Sequence, residues 1–362
     1  AYIKCATIDR KGNLWFGTNN GLTLYDRETE RFTTYFARKG EAIQVEDLAL
    51  GKNGHLWIAS SENGLYRFNT ETFKFKSFRS QISSRKTTRV STTKDGIVIV
   101  ATAGGGLYFY NSEEDKGTEL SSYHTPFSAV NRLIVQGRNE VLVATNNGVF
   151  TVDIEQKTIE EKFPKLTRKY GEVAVSDVYN YVDFGWVIGT KNQGVYVIYN
   201  DGEIHQSTED IFQKTSILTN AINLIFRDNS GYLWIASQRG LSVFDPKNEG
   251  FLGVGASGNE DSGIPTPSVW SFAESPSSQY MYIGTDNGIS RYDSKTGKFR
   301  QFYRAEKTKK FINEISVLGI YPVSDQLILA ACTDGAFELS VNAEGYALSL
   351  IHISEPTRLS RI

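Results

Sequence analysis

GNLWFGTNNGLTLYD, residues 12–26, reads as a strand ending in Gly17-Thr18, a short polar loop, then Gly21-Leu22 and a second strand. Seven further copies follow: GHLWIASSENGLYRFN from Gly54, GIVIVATAGGGLYFYN from Gly96, EVLVATNNGVFTVD from Glu140, WVIGTKNQGVYVIYN from Trp186, GYLWIASQRGLSVFD from Gly231, YMYIGTDNGISRYD from Tyr280 and LILAACTDGAFELS from Leu327. The loop-closing glycine falls at Gly21, Gly64, Gly106, Gly148, Gly194, Gly240, Gly288 and Gly335, a period of 42 to 48 residues. Short strands repeating at that period imply an all-β chain of stacked four-stranded antiparallel blades, a β-propeller. Eight repeats over residues 1–346 fit a seven-bladed ring plus the first blade of a second propeller, or an eight-bladed ring.

An apolar content of 40% can fill a large core, which the repeat divides into thin layers between neighbouring units. Lys plus Arg (39) nearly balances Asp plus Glu (41), so a basic face for nucleic acid or an anionic membrane is not expected. Cys5 and Cys332 are too few for a disulfide framework and lack zinc-ligand spacing. His55, His124, His205 and His352 fall at unrelated repeat positions, so neither metal nor cofactor is expected. The first residues already lie inside a repeat and Met occurs once, at Met281, which reads as an internal piece of a longer polypeptide.

The sixth unit shows the blade most clearly, with strands at 221–228, 232–237 and 241–245 and a weaker fourth near Phe251. Asp9 to Gly12 and Asp228 to Gly231 carry Asp first and Gly last, as a type I turn whose Asx side chain caps backbone donors requires. Trp15, Trp57 and Trp234 share one column of the second strand, with Tyr282, Ile99, Leu142, Val187 and Ala330 read as its other members. Large rings there would wedge between blades rather than face a ligand.

In a four-stranded meander the one-to-two and three-to-four turns share one end, and the two-to-three and four-to-one connections the other. The second end holds the long segments 79–90, 164–173, 207–220, 255–270 and 304–315, and loops on a rigid scaffold are where binding residues sit. The ligand-binding candidates there are Asn146, Asn147, Tyr170, Lys191, Asn192, Gln238, Arg239, Trp270, Asp286 and Asn287. Amides exchange hydrogen bonds with hydroxyls and flat rings pack on the apolar face of a pyranose, so the set suits a sugar, although Asn is equally a good turn former. A propeller lyase would need a His or Tyr base beside a charge neutraliser, and His124, before Pro126, is the best such residue. A protein-interaction scaffold is the third reading.

The repeat resembles the two-component regulator propeller repeat, D-x-x-G-x-L-W-I-G-T-x-x-G-L with a strand ending in Tyr-Asp. Residues 9–26 match at nearly every position, 228–245 match with Ala236-Ser237 for Gly-Thr, and 269–293 match with a longer first turn. The resemblance implies the periplasmic sensor region of a hybrid two-component regulator of the kind found largely in gut Bacteroidetes. It further implies paired propellers outside the inner membrane, a β-sandwich, one membrane helix and cytoplasmic kinase and response-regulator domains. Oligosaccharides from complex glycans are the implied inducers, a homodimer the implied assembly, and membrane attachment would come only from downstream segments. Residues 347–362, ALSLIHISEPTRLSRI, drop the repeat and are expected to have no blade partner. SLIHISEPTRL is similar to the peptide encoded by sequencing-adaptor DNA, so His352, Glu355 and Arg358 are given no role.

Overall fold

The computed structural model describes residues 3–26, 28–29, 31–37, 43–78, 82, 84–112, 116–120, 125–210, 216–245, 250–257, 261–302, 315–333, 335–342 and 347–353. His124 and most of segment 304–315 lie outside them. The chain is a β-propeller of eight four-stranded sheets, each built from consecutive antiparallel strands. Blades 1 to 8 run over residues 3–35, 45–77, 87–120, 130–161, 175–207, 222–254, 269–302 and 317–353. Two compact units divide them, blades 1 to 4 in residues 1–175 and blades 5 to 8 in residues 176–354.

Within each unit the core is a series of interblade layers. Trp15 joins Val45, Leu56 and Phe68 between blades 1 and 2, and Trp57 joins Phe78, Val98 and Tyr110 between blades 2 and 3. In the second unit Trp234 lies with Val269 and Ile283, and Tyr282 with Val317 and Ile328. The tryptophan column is therefore packing, as its ring size suggested. In blade 8 the column position is Leu329, opposite Tyr321 and Glu338, and not Ala330. Cys332 stands where other blades have Thr or Ser, which shifts the alignment by one residue.

The repeated Gly-Thr pair has a physical reason at each member. A Cβ on Gly17 would lie 2.4 Å from Val45 Cγ1, and one on Gly284 would lie 2.6 Å from the Val317 carbonyl, because the next blade's first strand passes there. The following hydroxyl caps the turn: Thr145 Oγ1 donates to Gly148 O at 2.8 Å and accepts the Asn147 N–H at 3.0 Å. Thr190, Ser237 and Thr285 donate likewise to Gly194, Gly240 and Gly288 at 2.7 to 2.9 Å.

Among the described pairings the first strand skips one residue at its second position in seven blades, leaving Lys4, Glu46, Thr88, Asn131, Asn223, Trp270 and Leu318 outside the ladder. Such a bulge turns one side chain away from its pleat position.

Two expectations are corrected. Residues 164–170 are not irregular but form a short helix, α1 (Pro164–Tyr170), with Pro at its start, Leu166 buried and Gly171 at φ 76° ending it. Seven residues with one buried apolar side chain leave too little periodicity to read. Residues Ala347–Ile353 do have a blade partner: they pair along Gly335–Val341 as the fourth strand of blade 8. Their Ala-Leu-Ser-Leu-Ile-His-Ile run is compatible with a strand even though it lacks the repeat's turn residues.

Candidate functional site

The one-to-two turn carries the repeat's signature Asp, and the structure explains why it travels with Trp. Asp9 Oδ1 accepts the Lys11 and Asn13 N–H groups at 2.9 and 3.0 Å, while its Oδ2 accepts the Trp15 Nε1–H at 2.8 Å. Asp228 repeats this with the Tyr232 N–H at 2.9 Å and the Trp234 Nε1–H at 2.7 Å. Where the indole is lost, a hydroxyl suffices: Thr93 caps the turn before Ile99, and Ser275 the turn before Tyr282. This end of the blades is architectural. A polar cleft of about 100 Å³ does open there between blades 1 and 2, lined by Arg10, Lys11, Asn53, His55, Asn69 and Glu71 among others.

At the other end of the first unit, Asn146 is held by its own blade. Its Oδ1 accepts the Ala129 N–H at 3.2 Å and its Nδ2 donates to Ser128 Oγ at 2.8 Å. Asn147 uses its backbone N–H to meet Thr145. Tyr170 ends helix α1, with the Lys169 ammonium 5.0 Å from its ring centroid.

In the second unit the candidates separate into three groups. Lys191 and Asn192 stand exposed on the turn after Thr190. Arg239 pairs with Glu209, a residue of the segment leading into its blade, and the Gln238 carbonyl accepts Ser268 Oγ–H at 3.2 Å from the segment entering blade 7. Trp270 and Asp286 are brought together: the indole Nε1–H donates to the Asp286 carboxylate, which also accepts Ser316 Oγ–H at 3.2 Å from the start of blade 8. The Asp286 N–H in turn donates to Ser268 O at 3.2 Å, and the neighbouring Asn287 N–H to Thr285 Oγ1. Trp270 is 37% exposed.

Two carboxylates, the half-buried Asp47 and the buried Asp177, were missed by the sequence reading. Asp47 accepts the Leu48 N–H at 3.0 Å and, from the next blade, the Val90 N–H at 3.1 Å. Asp177 accepts the Val178 N–H at 2.9 Å and the Ile225 N–H at 3.0 Å. Each splints the first strands of adjacent blades, and an Asp at the third position of a first strand was the only signal. Burial raises the Asp47 carboxyl above its ordinary value, against the amides and Arg89 that lower it. An acid with a raised folded-state pKa binds its proton more tightly when folded, so its contribution is present below the unfolded value and is lost as pH rises through the folded one. Asp47→Asn is therefore expected to flatten the fall in stability just above pH 4, read by urea unfolding across pH 3.5–7; parallel profiles for the two proteins would refute the assignment.

Of the histidines, His55 Nδ1 lies 3.1 Å from the Asn53 carbonyl in a tight turn, and His205 Nε2 lies 2.9 Å from Glu203 on a fourth strand. Among the described residues no group of His, Cys, Asp and Glu could hold a metal ion, and no helix is long and apolar enough to cross a membrane.

The family model described as two component regulator propeller matches residues 1–20. Among curated proteins the chain is 27% identical over 251 residues to Histidine kinase P4 of Formosa agariphila, covering 64% of this chain and 18% of that protein. The chain thus spans about a fifth of the length of the curated relative it matches. An extracellular domain assigned to a one component system of B. thetaiotaomicron aligns at 20% identity and TM-score 0.49, over 96% of this chain and 54% of that one. A streptogramin B lyase aligns at 15% identity and TM-score 0.54, over 81% and 92% of the two chains, a likeness of fold alone. The Asp-capped turn, the Gly-Thr cap and the wedge column give the recurring spacing its physical reason, and the first copy of the repeat, on which the family model is seated, is similar to the two component regulator propeller repeat.

Proposed function

We propose that this chain is the ligand-sensing propeller region of a hybrid two-component receptor, working in the periplasm and answering oligosaccharides released from complex glycans. The observation that carries the reading is the match of its repeat to the regulator propeller model, joined to the 251-residue likeness to a histidine kinase. The chemistry of the loop end supports a saccharide: amides on short capped turns, and an aromatic ring left open at Trp270. The receptor acts as a homodimer in this reading, and the region binds without turning its ligand over. Rigid blades transmit occupancy as a shift between whole domains, which a ligand drives only by preferring one arrangement.

Calorimetric titration with a panel of plant and host glycan oligomers is expected to give saturable binding for at least one, with the oligomer recovered intact. Flat titrations throughout would sink the saccharide reading. An unsaturated product absorbing in the ultraviolet would replace it with a lyase.

A further inference from the structure

Three tryptophans of this chain have the same polar grip and two different fates. Trp15, Trp234 and Trp270 each donate the indole N–H to an Asp carboxylate. The faces of the first two are covered: Phe68 packs 5.1 Å and Tyr35 5.8 Å from Trp15, and Tyr292 packs 5.3 Å from Trp234, leaving them 1% and 3% exposed. Trp270 is 37% exposed, and among the described residues no aromatic ring packs on it. Roughly 90 Å² of mostly apolar surface is left in water, on the usual area of a Trp side chain.

Its position makes that surface rigid. Trp270 is the bulge residue of the first strand of blade 7, with the pairing skipping from Val269 to Ser271, so the ladder leaves it free to project from the sheet. Asp286 then fixes the ring by its polar edge and is itself held by Ser316 Oγ and by its own N–H to Ser268. The donor is spent, while more than a third of the residue stays in water. A ring whose rotamer is fixed before binding loses little entropy when a ligand lands on it. Polar groups adjoin Asp286: the Ser316 hydroxyl donates to its carboxylate, and Ser268, whose carbonyl accepts the Asp286 N–H, donates its own hydroxyl to the Gln238 carbonyl.

We propose that Trp270 is a preorganised stacking platform for the apolar face of one pyranose ring, with Asp286 as its positioning residue. The proposal rests on the saccharide reading above and adds the subsite to it. The C–H face of the sugar lies on the indole, and its hydroxyls reach the polar rim.

The test uses the full chain and the oligosaccharide panel already named, read by calorimetry and by tryptophan fluorescence. Trp270→Ala is expected to weaken the binding oligomer about tenfold, and Trp270→Phe, which keeps a flat ring, only about threefold. Binding should shift the emission of the parent chain, and this response should vanish in Trp270→Phe, since Trp15, Trp57 and Trp234 are buried and the half-buried Trp186 sits at the start of strand Gly185–Thr190, at the end of its blade away from the loop end. Asp286→Ala should weaken binding while the ring remains, and Asp286→Asn, which still accepts the indole N–H, should restore it. An oligomer that binds the parent and Trp270→Ala equally overturns the platform and leaves the saccharide reading standing. A panel that is silent on the parent chain overturns both.

Discussion

Trp57→Ala is expected to destabilise the first unit by about 3–5 kcal/mol, the usual cost of emptying a large buried aromatic site. Trp57 is 1% exposed and lies between blades 2 and 3, with ring centroids of Phe78 and Tyr110 at 5.2 and 5.3 Å and the Arg67 guanidinium 5.9 Å above its face. The layer cannot collapse to fill the gap, because the strands on both sides are fixed by their own ladders. Trp57→Phe keeps part of the wedge and should cost about half as much. Urea unfolding followed by far-ultraviolet circular dichroism measures both. A loss below about 1 kcal/mol for the alanine variant would show that the ring fills no essential volume. In a stack where each unit touches its neighbours, amide exchange should accelerate most in blades 2 and 3.

Asp228→Ala is the second large effect, about 3 kcal/mol. The 7% exposed side chain accepts the Trp234 indole at 2.7 Å and the Tyr232 amide at 2.9 Å, and alanine leaves both donors without their acceptor. An orphaned buried donor costs about 1–3 kcal/mol, and bonds to a charged acceptor stand at the upper end. Asp228→Asn retains an acceptor for one of the two and should fall between parent and alanine. Equal midpoints for the parent and the alanine variant would contradict the grip seen here. Blade 2 is the natural control: it keeps Trp57 but has Gly51 at the Asp position, where a Cβ would lie 2.8 Å from the indole nitrogen. There the ring itself takes the room of the carboxylate.

Much of this was legible because the repeat reports on local chemistry. The turn Asp, the loop glycine and the wedge ring each act within a few residues of themselves, so their spacing carries the blade. What was not legible acts across blades or breaks the period. Asp47 and Asp177 bond to amides 43 and 48 residues away, and nothing near them in the chain announces that partner. The first-strand bulge has no residue-type signature, being occupied by Lys4, Glu46, Asn131 and Leu318 alike. Helix α1 is too short for a period, and Ala347–Ile353 forms a strand without the repeat's punctuation. For the candidate site, the loop end was readable from turn lengths. Which residues meet was not: Trp270 and Asp286 were separate candidates, and the hydrogen bond joining them depends on how far the bulge swings the indole.

That bulge has an evolutionary corollary. A residue that takes no part in strand pairing can be exchanged without disturbing the pleat on either side of it, so its identity answers to contacts outside its own sheet. Asn131 and Asn223 spend that freedom on the next blade, donating to Val175 O at 2.7 Å and Val269 O at 3.0 Å, whereas Trp270 spends it on the Asp286 carboxylate at the loop end. The same backbone device thus serves as a tie between blades at one position and as a variable side chain at another, and new specificities can arise at residue 270 one substitution at a time.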